Sequence, residues 1–282
     1  MIGTELSAKR DQLLAILSGM SRVAVAFSGG IDSTVVAKAA YLTLGEHAIA
    51  VTADSPSVPR SELEEAKELA RRIGIRHHIL QTQEFDDPNY LRNDGARCYF
   101  CKSELYSQIE QLLPELGVNV VCSGANLDDA GDYRPGLKAA SEHHVRHPLQ
   151  EAGFSKADVR KLAQAWELPT WDKPASPCLS SRLVPGLEVT LDRTRRIEEA
   201  EAFLKSHGFR ECRVRLHEGE LARIEVPLPE LPRLTERALR QELARRLREL
   251  GFRFVTLDLE GFRSGNLNEL VDVEIKQRFP IK

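Results

Sequence analysis

The sequence lacks the long apolar run that a membrane span or a signal peptide needs. A spanning helix takes about 20 consecutive apolar residues, whereas the first twenty residues here predict a charged amphipathic helix. An excess of basic residues is also missing, since the formal net charge is −3. Proteins that bind a nucleic-acid backbone usually carry a basic surface, so the sequence argues against a nucleic-acid partner. These absences predict a cytoplasmic protein with no membrane partner.

Cysteine is scarce and irregularly spaced. The chain has five cysteines in 282 residues, an odd number that no complete set of disulfides can use. Without an export signal, this pattern favours thiol or metal chemistry over disulfides. With 29% charged and 42% hydrophobic residues, the composition is typical of a globular protein with one large or two unequal domains.

Predicted strands and helices alternate through the first two thirds of the chain. Strands are predicted at residues 23–27, 48–53, 76–80 and 118–122, and the first is a continuous apolar run typical of a buried parallel strand. Helices are predicted between and after them, including one over residues 101–113 and one that Ser155 and Asp158 open with a capping box. The alternation predicts an α/β fold with a doubly wound parallel sheet. Ligands of such sheets bind beyond the carboxyl ends of the strands, and Ser28, Ser55 and Gly124 lie at these ends.

The pattern changes at Pro185-Gly186. Beyond it the predicted order is helix, strand, strand, helix, strand, with the second helix over residues 231–250, and this order indicates a small α+β domain. We therefore predict one domain over residues 1–185 and a smaller one over residues 186–282.

The segment Ser28-Gly29-Gly30-Ile31-Asp32-Ser33 follows the first predicted strand and opens a helix. Glycines there let backbone N–H groups approach an anion, and the helix adds its positive N-terminal end. The serines add hydroxyl donors, and Asp32 could orient the loop or hold Mg²⁺. A plain Gly-Gly turn is the simpler alternative, and no Gly-Lys-Ser/Thr follows as in a Walker loop. The whole segment, however, resembles the pyrophosphatase-type loop of ATP-dependent adenylylating enzymes, which implies ATP binding.

Three of the cysteines could carry chemistry. Cys98 and Cys101 form a Cys-x-x-Cys pair between Arg97 and Lys102, a setting that lowers thiol pKa values, and Cys178 lies in a remote loop. Three such thiols could hold three irons of a [4Fe–4S] cluster, or three quarters of a zinc site. The other two cysteines lie in apolar strands and are predicted to be core residues.

The second predicted domain carries arginines on one sheet face. Alternation along the strand places Arg213 and Arg215 together, while Glu225 and Arg223 share a face of the partner strand and Arg263 follows the last strand. Such arginines could bind carboxylates and a phosphate. A solvated face with cross-strand ion pairs is the alternative.

Taken with these residues, several segments resemble the LarE family of sulfur transferases, which serve synthesis of the nickel-pincer nucleotide cofactor of lactate racemase. The similar segments are residues 25–33, 132–139 (Asp-Tyr-Arg-Pro-Gly-Leu-Lys-Ala), 180–182 (Ser-Ser-Arg), 214–215 with 222–225, and 255–265. The resemblance implies an adenylylating domain followed by a domain for substrate binding and oligomerisation. Its substrate would be the anionic pyridinium-3,5-biscarboxylic acid mononucleotide, whose carboxylates ATP activates and sulfur then converts to thiocarboxylates.

The resemblance also implies roles for individual residues. Ser28, Gly29, Gly30, Asp32, Ser33, Ser55 and Gly124 would bind ATP. Arg182, Glu201, Arg213, Arg215, Glu225, Arg263 and Lys102 would bind the substrate. Cys98, Cys101 and Cys178 match the three-cysteine branch, whose [4Fe–4S] cluster would deliver the sulfur. In the single-cysteine branch the cysteine before Ser-Ser-Arg gives up its own sulfur, so sacrifice of Cys178 is the alternative mechanism.

Other functions stay open. A tRNA thiolation enzyme also joins this loop to three cysteines, and an ammonia-dependent synthetase of the NAD or GMP kind uses the loop without them. A non-catalytic nucleotide sensor with a structural zinc would bind ATP without releasing pyrophosphate. Relatives form homo-oligomers, so we expect one here, and the sequence does not identify the source of the sulfide.

Overall fold

The computed structural model describes residues 3–131, 135–263 and 271, which form two compact units. Among these residues, the first unit contains 3–84, 98–131 and 135–176, and the second contains 85–97, 177–263 and 271. The main part of the second unit thus starts at Pro177. The unit also includes residues 85–97, which lie in sequence between two segments of the first unit. The predicted boundary after residue 185 differs from the division into these two units in both respects. The predicted functions of the two domains stay predictions.

Helices and strands are numbered in chain order. The helices are α1 Thr4–Met20, α2 Ile31–Leu44, α3 Arg60–Ile73, α4 Pro88–Leu91, α5 Arg97–Leu116, α6 Pro135–Glu142, α7 Pro148–Glu151, α8 Lys156–Ala165, α9 Leu191–Ser206, α10 Leu231–Thr235 and α11 Arg237–Glu249. The strands are β1 Val23–Ala26, β2 Ala48–Asp54, β3 Arg76–Gln81, β4 Val120–Cys122, β5 Arg213–His217, β6 Leu221–Glu225 and β7 Phe254–Leu257. None of the described helices has the length and apolarity that a membrane crossing requires.

The first unit is built on a parallel sheet with the strand order β3-β2-β1-β4. Every residue of β1 is buried. Val23 and Val25 pack in one core with α1, α2 and α8, and Ala24 packs in a second core with α5 and α6. Because alternate residues of a strand point to opposite faces, helices cover both sides of the sheet. The predicted doubly wound α/β fold is confirmed.

In the first unit, local side-chain hydrogen bonds determine where two helices, α8 and α5, begin. The Ser155 side chain accepts from the Asp158 N–H and the Asp158 carboxylate accepts from the Ser155 N–H, which is the predicted capping box at the start of α8. Helix α5 was predicted from Cys101 but begins at Arg97. Asp94 accepts a hydrogen bond from the Ala96 N–H at 3.2 Å and turns the chain just before that start. The Cys-x-x-Cys pair therefore lies inside the helix rather than ahead of it.

The second unit has a three-stranded sheet with the order β5-β6-β7. β5 and β6 are antiparallel and β6 and β7 are parallel, with Gly219 at φ 72° in the turn between the first two. The predicted single helix from 231 to 250 is wrong in one respect. Glu236 has the non-helical dihedral angles φ −56° and ψ 132° and separates α10 from α11.

Candidate active site

The phosphate loop follows β1 directly and is braced by its own hydroxyls. The Ser33 Oγ donates to the Gly30 carbonyl at 3.1 Å and accepts from the Ser28 N–H at 3.2 Å. Gly29 has φ +70°, and a Cβ there would lie 3.1 Å from the Ala66 Cβ. Only glycine meets both conditions without strain. The loop therefore presents its backbone at the N-terminus of α2, which is an arrangement suited to an anion.

Gly124, which follows β4, lies against the same loop. A Cβ on Gly124 would be 2.7 Å from the backbone N of Ser33, closer than any real contact of this kind. The structure thus brings two of the residues predicted to bind ATP together by close backbone approach. This approach requires a glycine at position 124.

The Asp32 carboxylate is engaged by two side chains that the sequence analysis did not identify. Asn126 Nδ2 donates to Oδ1 at 3.1 Å, and Lys156 Nζ forms a short ion pair with Oδ2. Lys156 also donates its backbone N–H to Asp128 at 2.6 Å. Its place in the first turn of the capping-box helix was readable from the sequence, but its approach to the loop depends on the packing of α8 on α2.

Ser55, at the end of β2, is fixed from two sides. Its hydroxyl donates to the carboxylate of Glu84, a residue only 2% exposed, through a short hydrogen bond, and accepts from the Ser57 N–H at 3.0 Å. Glu84 was not predicted, because its residue type alone gives no sign of burial. Ser55 is thus held at the carboxyl edge of the sheet, where its predicted role places it.

Lys173 lies in the loop at residues 172–178 and connects it to α3. Its Nζ lies 2.6 Å from Glu62 and 2.8 Å from Glu65, and 3.5 Å from the Gly29 carbonyl of the phosphate loop. Although burial opposes it, the two carboxylates hold the pKa of Lys173 above its ordinary value. A charged lysine therefore lies beside the phosphate loop, and sequence reasoning missed it.

The five cysteines divide into two classes. Cys122 at the end of β4 and Cys212 just before β5 are buried, and burial raises the pKa of each to about 12. Cys98 is exposed, and Cys101 and Cys178 are partly exposed. The accessible thiols are thus the three that were predicted to act, and the buried ones are the two predicted to be core residues.

The cysteine pair lies on the first turn of α5, three residues apart and hence on one helix face. Gly136 of α6 packs on this turn, since an added Cβ would be 3.0 Å from Lys102 Cγ and 3.6 Å from the Cys98 carbonyl oxygen. Gly136 belongs to the Asp-Tyr-Arg-Pro-Gly segment, whose residues 132–134 lie outside the described residues. Gly136 therefore lies against the cysteine turn, a placement that the sequence did not reveal.

Cys178 precedes a 3-10 turn over Leu179–Arg182 in the second unit. Within the described ranges, no group of three His, Cys, Asp or Glu side chains is arranged to hold a metal ion. The assignment of the three thiols to one cluster accordingly stays a prediction.

A cluster of charges, most of them buried, occupies the second unit, and we call it the arginine cluster. Its members are Arg182, Glu201, Arg213, Arg215 and Glu225, which are buried, and Arg223 and Asp258, which are partly exposed. Arg182 is 1% exposed and pairs with both oxygens of Glu201, at 3.0 and 3.1 Å. Its other nitrogen donates to the Cys178 carbonyl at 3.0 Å. A buried guanidinium is thereby tied to the backbone of a candidate sulfur-bearing residue.

The sheet side of the arginine cluster centres on Glu225, which is fully buried. Arg215 lies 3.1 Å from it across the strands and Arg223 lies 3.0 Å from it along the same strand. Arg213 and Arg215 are each only 6% exposed, so the alternative of a solvated face is wrong. The cross-strand ion pair that this alternative predicted does exist, between Arg215 and Glu225. Burial, together with the nearby Arg182 guanidinium, holds the pKa of Arg213 below its ordinary value.

Two further residues predicted to bind the substrate, Arg263 and Lys102, have other partners. Arg263 is exposed and pairs with Glu260 at 2.5 Å, while the ring of its neighbour Phe262 lies 4.9 Å from the Arg213 guanidinium. Ser264 and Gly265 of the same segment lie outside the described residues. Lys102 belongs to the first unit, with its Nζ 5.9 Å from the Tyr106 ring centroid. The roles of Arg263 and Lys102 stay predictions.

Comparison with known proteins extends over nearly the whole chain. The asparagine synthase family model matches residues 15–93. An uncharacterised protein of Synechocystis sp. is 46% identical over 94% of this chain and 99% of its own length. The pyridinium-3,5-bisthiocarboxylic acid mononucleotide synthase of Lactiplantibacillus plantarum is 40% identical over 94% of this chain and 95% of its own length. The tRNA-specific 2-thiouridylase MnmA of Rickettsia peacockii is 27% identical over 55% of this chain and 53% of its own length.

Proposed function

The chain belongs to the LarE family of pyridinium-3,5-bisthiocarboxylic acid mononucleotide synthases and is an ATP-dependent sulfur transferase, and we propose that its substrate is pyridinium-3,5-biscarboxylic acid mononucleotide. Each carboxylate would attack the α-phosphate of ATP, forming an acyl adenylate and releasing pyrophosphate. A sulfide equivalent would then displace AMP and leave a thiocarboxylate. Two rounds would produce the bisthiocarboxylate used for the nickel-pincer cofactor. Activation is needed because a carboxylate has no usable leaving group.

The activation step is assigned to the phosphate loop and its neighbours. Backbone N–H groups at Gly29 and Gly30 would receive the phosphates at the start of α2. Lys173, whose Nζ lies 3.5 Å from the Gly29 carbonyl and is held by Glu62 and Glu65, would donate a hydrogen bond to the pyrophosphate as it develops. Both oxygens of Asp32 are engaged by protein side chains, so we assign Asp32 to orienting the loop and expect Mg²⁺ to arrive with the phosphates of ATP.

Substrate recognition is assigned to the arginine cluster. Its four guanidiniums outnumber its three carboxylates, and the proposed substrate brings two carboxylates and a phosphate. Guanidinium groups pair with such anions through parallel hydrogen bonds. The observation that carries the proposal is the bond from Arg182 to the Cys178 carbonyl at 3.0 Å, because it joins the anion-binding cluster to a thiol-bearing residue within one unit.

Sulfur delivery is assigned to Cys98, Cys101 and Cys178. They fit an iron–sulfur cluster in donor chemistry, since these are the thiols that are not buried in the cores. Such a cluster would be [4Fe–4S] with three protein ligands, and when bound it would supply a site for an additional sulfide. The chain's own contribution is to hold these thiolates and keep the substrate anions nearby.

Iron analysis of anaerobically purified protein tests sulfur delivery. We expect about four irons and four sulfides per chain with a broad visible absorption band. Cys98→Ala and Cys178→Ala should lose the iron and thiocarboxylate formation but still release pyrophosphate. Cys212→Ala, a change to a buried core thiol, should retain both and serves as the matched control. Iron-free protein that loses the mass of one hydrogen sulfide after turnover would establish the sacrificial mechanism instead.

The similarity to MnmA over half the chain favours one competing substrate, tRNA. A filter-binding assay across a salt series separates the two functions. We expect no specific retention of tRNA, whereas tight retention that weakens steeply with salt would contradict the proposed substrate. Light scattering on the same preparation would test the expected homo-oligomer.

A further inference from the structure

Residues 85–97 form a strap in the second unit that is anchored to residues 177–189. Asn93 Nδ2 donates to the carbonyls of Val184 and Leu187 at 2.9 and 3.0 Å. The Asn93 carbonyl in turn accepts from the Gly186 N–H at 2.8 Å. Asn93 is 2% exposed and has φ 53°, a conformation that asparagine tolerates better than most residues. The strap is therefore held by specific polar contacts and not by packing alone.

Arg97 ends the strap with a buried fork of hydrogen bonds. It is 9% exposed, and its Nη1 donates to Asn93 Oδ1 at 2.5 Å and to the Ser180 carbonyl at 2.6 Å. The Ser180 side chain is held separately, by the Tyr90 hydroxyl at 2.8 Å. The 3-10 turn that contains Ser180 is thus gripped through both its backbone and its side chain.

The hydrogen bonds of Arg97 lie close in sequence to two of the accessible thiols, Cys98 and Cys178. Arg97 directly precedes Cys98, and Ser180 follows Cys178 by two residues. The Cys178 carbonyl accepts from the Ser181 N–H at 2.9 Å within that same turn. Within the second unit, Arg97, the residue that directly precedes Cys98 in the chain, is therefore bonded to the turn that follows Cys178.

We propose that Arg97 is a positioning residue for sulfur transfer, a role that rests on the proposed assignment of the three thiols. Both bonds come from Nη1, whose hydrogens are fixed in the guanidinium plane, whereas the ammonium of lysine rotates on a flexible stem and does not reproduce that geometry. Loss of the fork would release the residue before Cys98 from the Cys178 turn. Misplacement of reacting groups by about 1 Å can cost roughly 100-fold in rate, so sulfur transfer should fall while activation by ATP continues.

The experiment compares Arg97→Met and Arg97→Lys with Arg92→Met in anaerobically prepared full-length protein. Arg92 is a suitable control because it is an exposed arginine of the same strap, bonded to Asp94 and Asn89. Four quantities are measured: iron per chain, visible absorption, pyrophosphate released, and thiocarboxylate formed per AMP released. For both Arg97 variants we expect thiocarboxylate per AMP to drop at least tenfold and iron to drop by at least half. Pyrophosphate release should stay within about twofold of the wild type, and Arg92→Met should match the wild type throughout.

Three outcomes would overturn the inference. Wild-type coupling of thiocarboxylate to AMP in Arg97→Lys would do so, as would an equal fall in coupling for Arg92→Met. A parallel loss of pyrophosphate release and of thermal stability in Arg97→Lys would indicate a general folding role. If the wild type itself contains no iron, the proposed cluster is wrong, and the coupling ratio alone then decides the role of Arg97.

Discussion

The phosphate loop of the first unit and the arginine cluster of the second arrange polar groups in opposite ways. At the loop the backbone itself forms the site, because Gly29, and Gly124 that lies against the loop, have no side chains and come close to neighbouring atoms. In the arginine cluster, long charged side chains are buried and hold one another, as Arg182 holds Glu201 and Arg215 holds Glu225. The phosphate loop depends on the absence of side-chain atoms. The arginine cluster depends on buried ion pairs, whose charges would be costly without their partners.

This difference predicts how each site fails. Adding a methyl group to the loop should damage catalysis more than stability, because the backbone shifts where the phosphates bind. Removing a charge from the arginine cluster should damage stability first, because a buried ion left without its partner is costly.

Glu225→Ala should have the largest effect. It leaves Arg215 and Arg223 without the carboxylate that lies 3.1 and 3.0 Å from them, and breaking a buried pair costs about 3–5 kcal/mol. The measurement is urea unfolding followed by a probe in the second unit. Glu64→Ala is the control, since Glu64 forms an exposed pair with Lys67 and such pairs contribute roughly 0–1 kcal/mol. A cost below about 1 kcal/mol for Glu225→Ala would contradict the idea that charges hold this site together.

Gly124→Ala should have the next largest effect, and on activity. The added Cβ would lie 2.7 Å from the Ser33 N, so the loop must shift, and kcat/KM for pyrophosphate release should fall by about 100-fold. Overpacking of this kind typically costs about 1–3 kcal/mol in the free energy of unfolding, so the protein should remain folded for the assay. Gly19→Ala is the matched control, because a Cβ there meets nothing within 4 Å. Normal activity in Gly124→Ala would show that the close approach is unimportant.

The two sites also differ in how far the sequence predicted them. The phosphate loop was predicted in place, since its strand, glycines and helix start are all local signals. The family resemblance drawn from short segments is confirmed by the full-length similarity to the synthase of Lactiplantibacillus plantarum. The burial of Arg213 and Arg215 was not predictable from alternation, because a period of two identifies a shared face but not what covers that face.

The residues that were missed share one property. Lys156, Lys173 and Glu84 reach their partners across more than 25 residues of sequence, so no local pattern contains them. Helix α5 shows the same limit on a smaller scale, since its start was placed four residues late. The capping box at Ser155 was predicted correctly because both of its partners lie within three residues.

The smallest expected effect concerns His77, which supports the base of the phosphate loop. Thr52 Oγ1 donates to the Phe27 carbonyl at 2.7 Å and lies 2.8 Å from His77 Nε2. The single hydroxyl proton is used toward Phe27, so Nε2 must carry the imidazole proton and donate to Thr52. Burial lowers the pKa of His77 from 6.5 to about 4. The residue just before Ser28 is therefore held by a neutral histidine.

A lowered histidine pKa makes stability fall in acid. Below pH 6.5 His77 is protonated in the unfolded chain, whereas in the folded protein it stays neutral down to about pH 4. The free energy of unfolding therefore falls as the pH is lowered between these two values. The imidazole is not fully buried, and after allowance for solvent screening the loss should be about 1–2 kcal/mol. His77→Gln should remove this part of the pH dependence, and His47→Gln, a change at an exposed histidine, should leave it intact. Urea unfolding between pH 7.5 and pH 4.5 measures the difference. If the free energy of unfolding depends on pH identically in the wild type and in His77→Gln, the neutral histidine does not contribute to stability at the base of the loop.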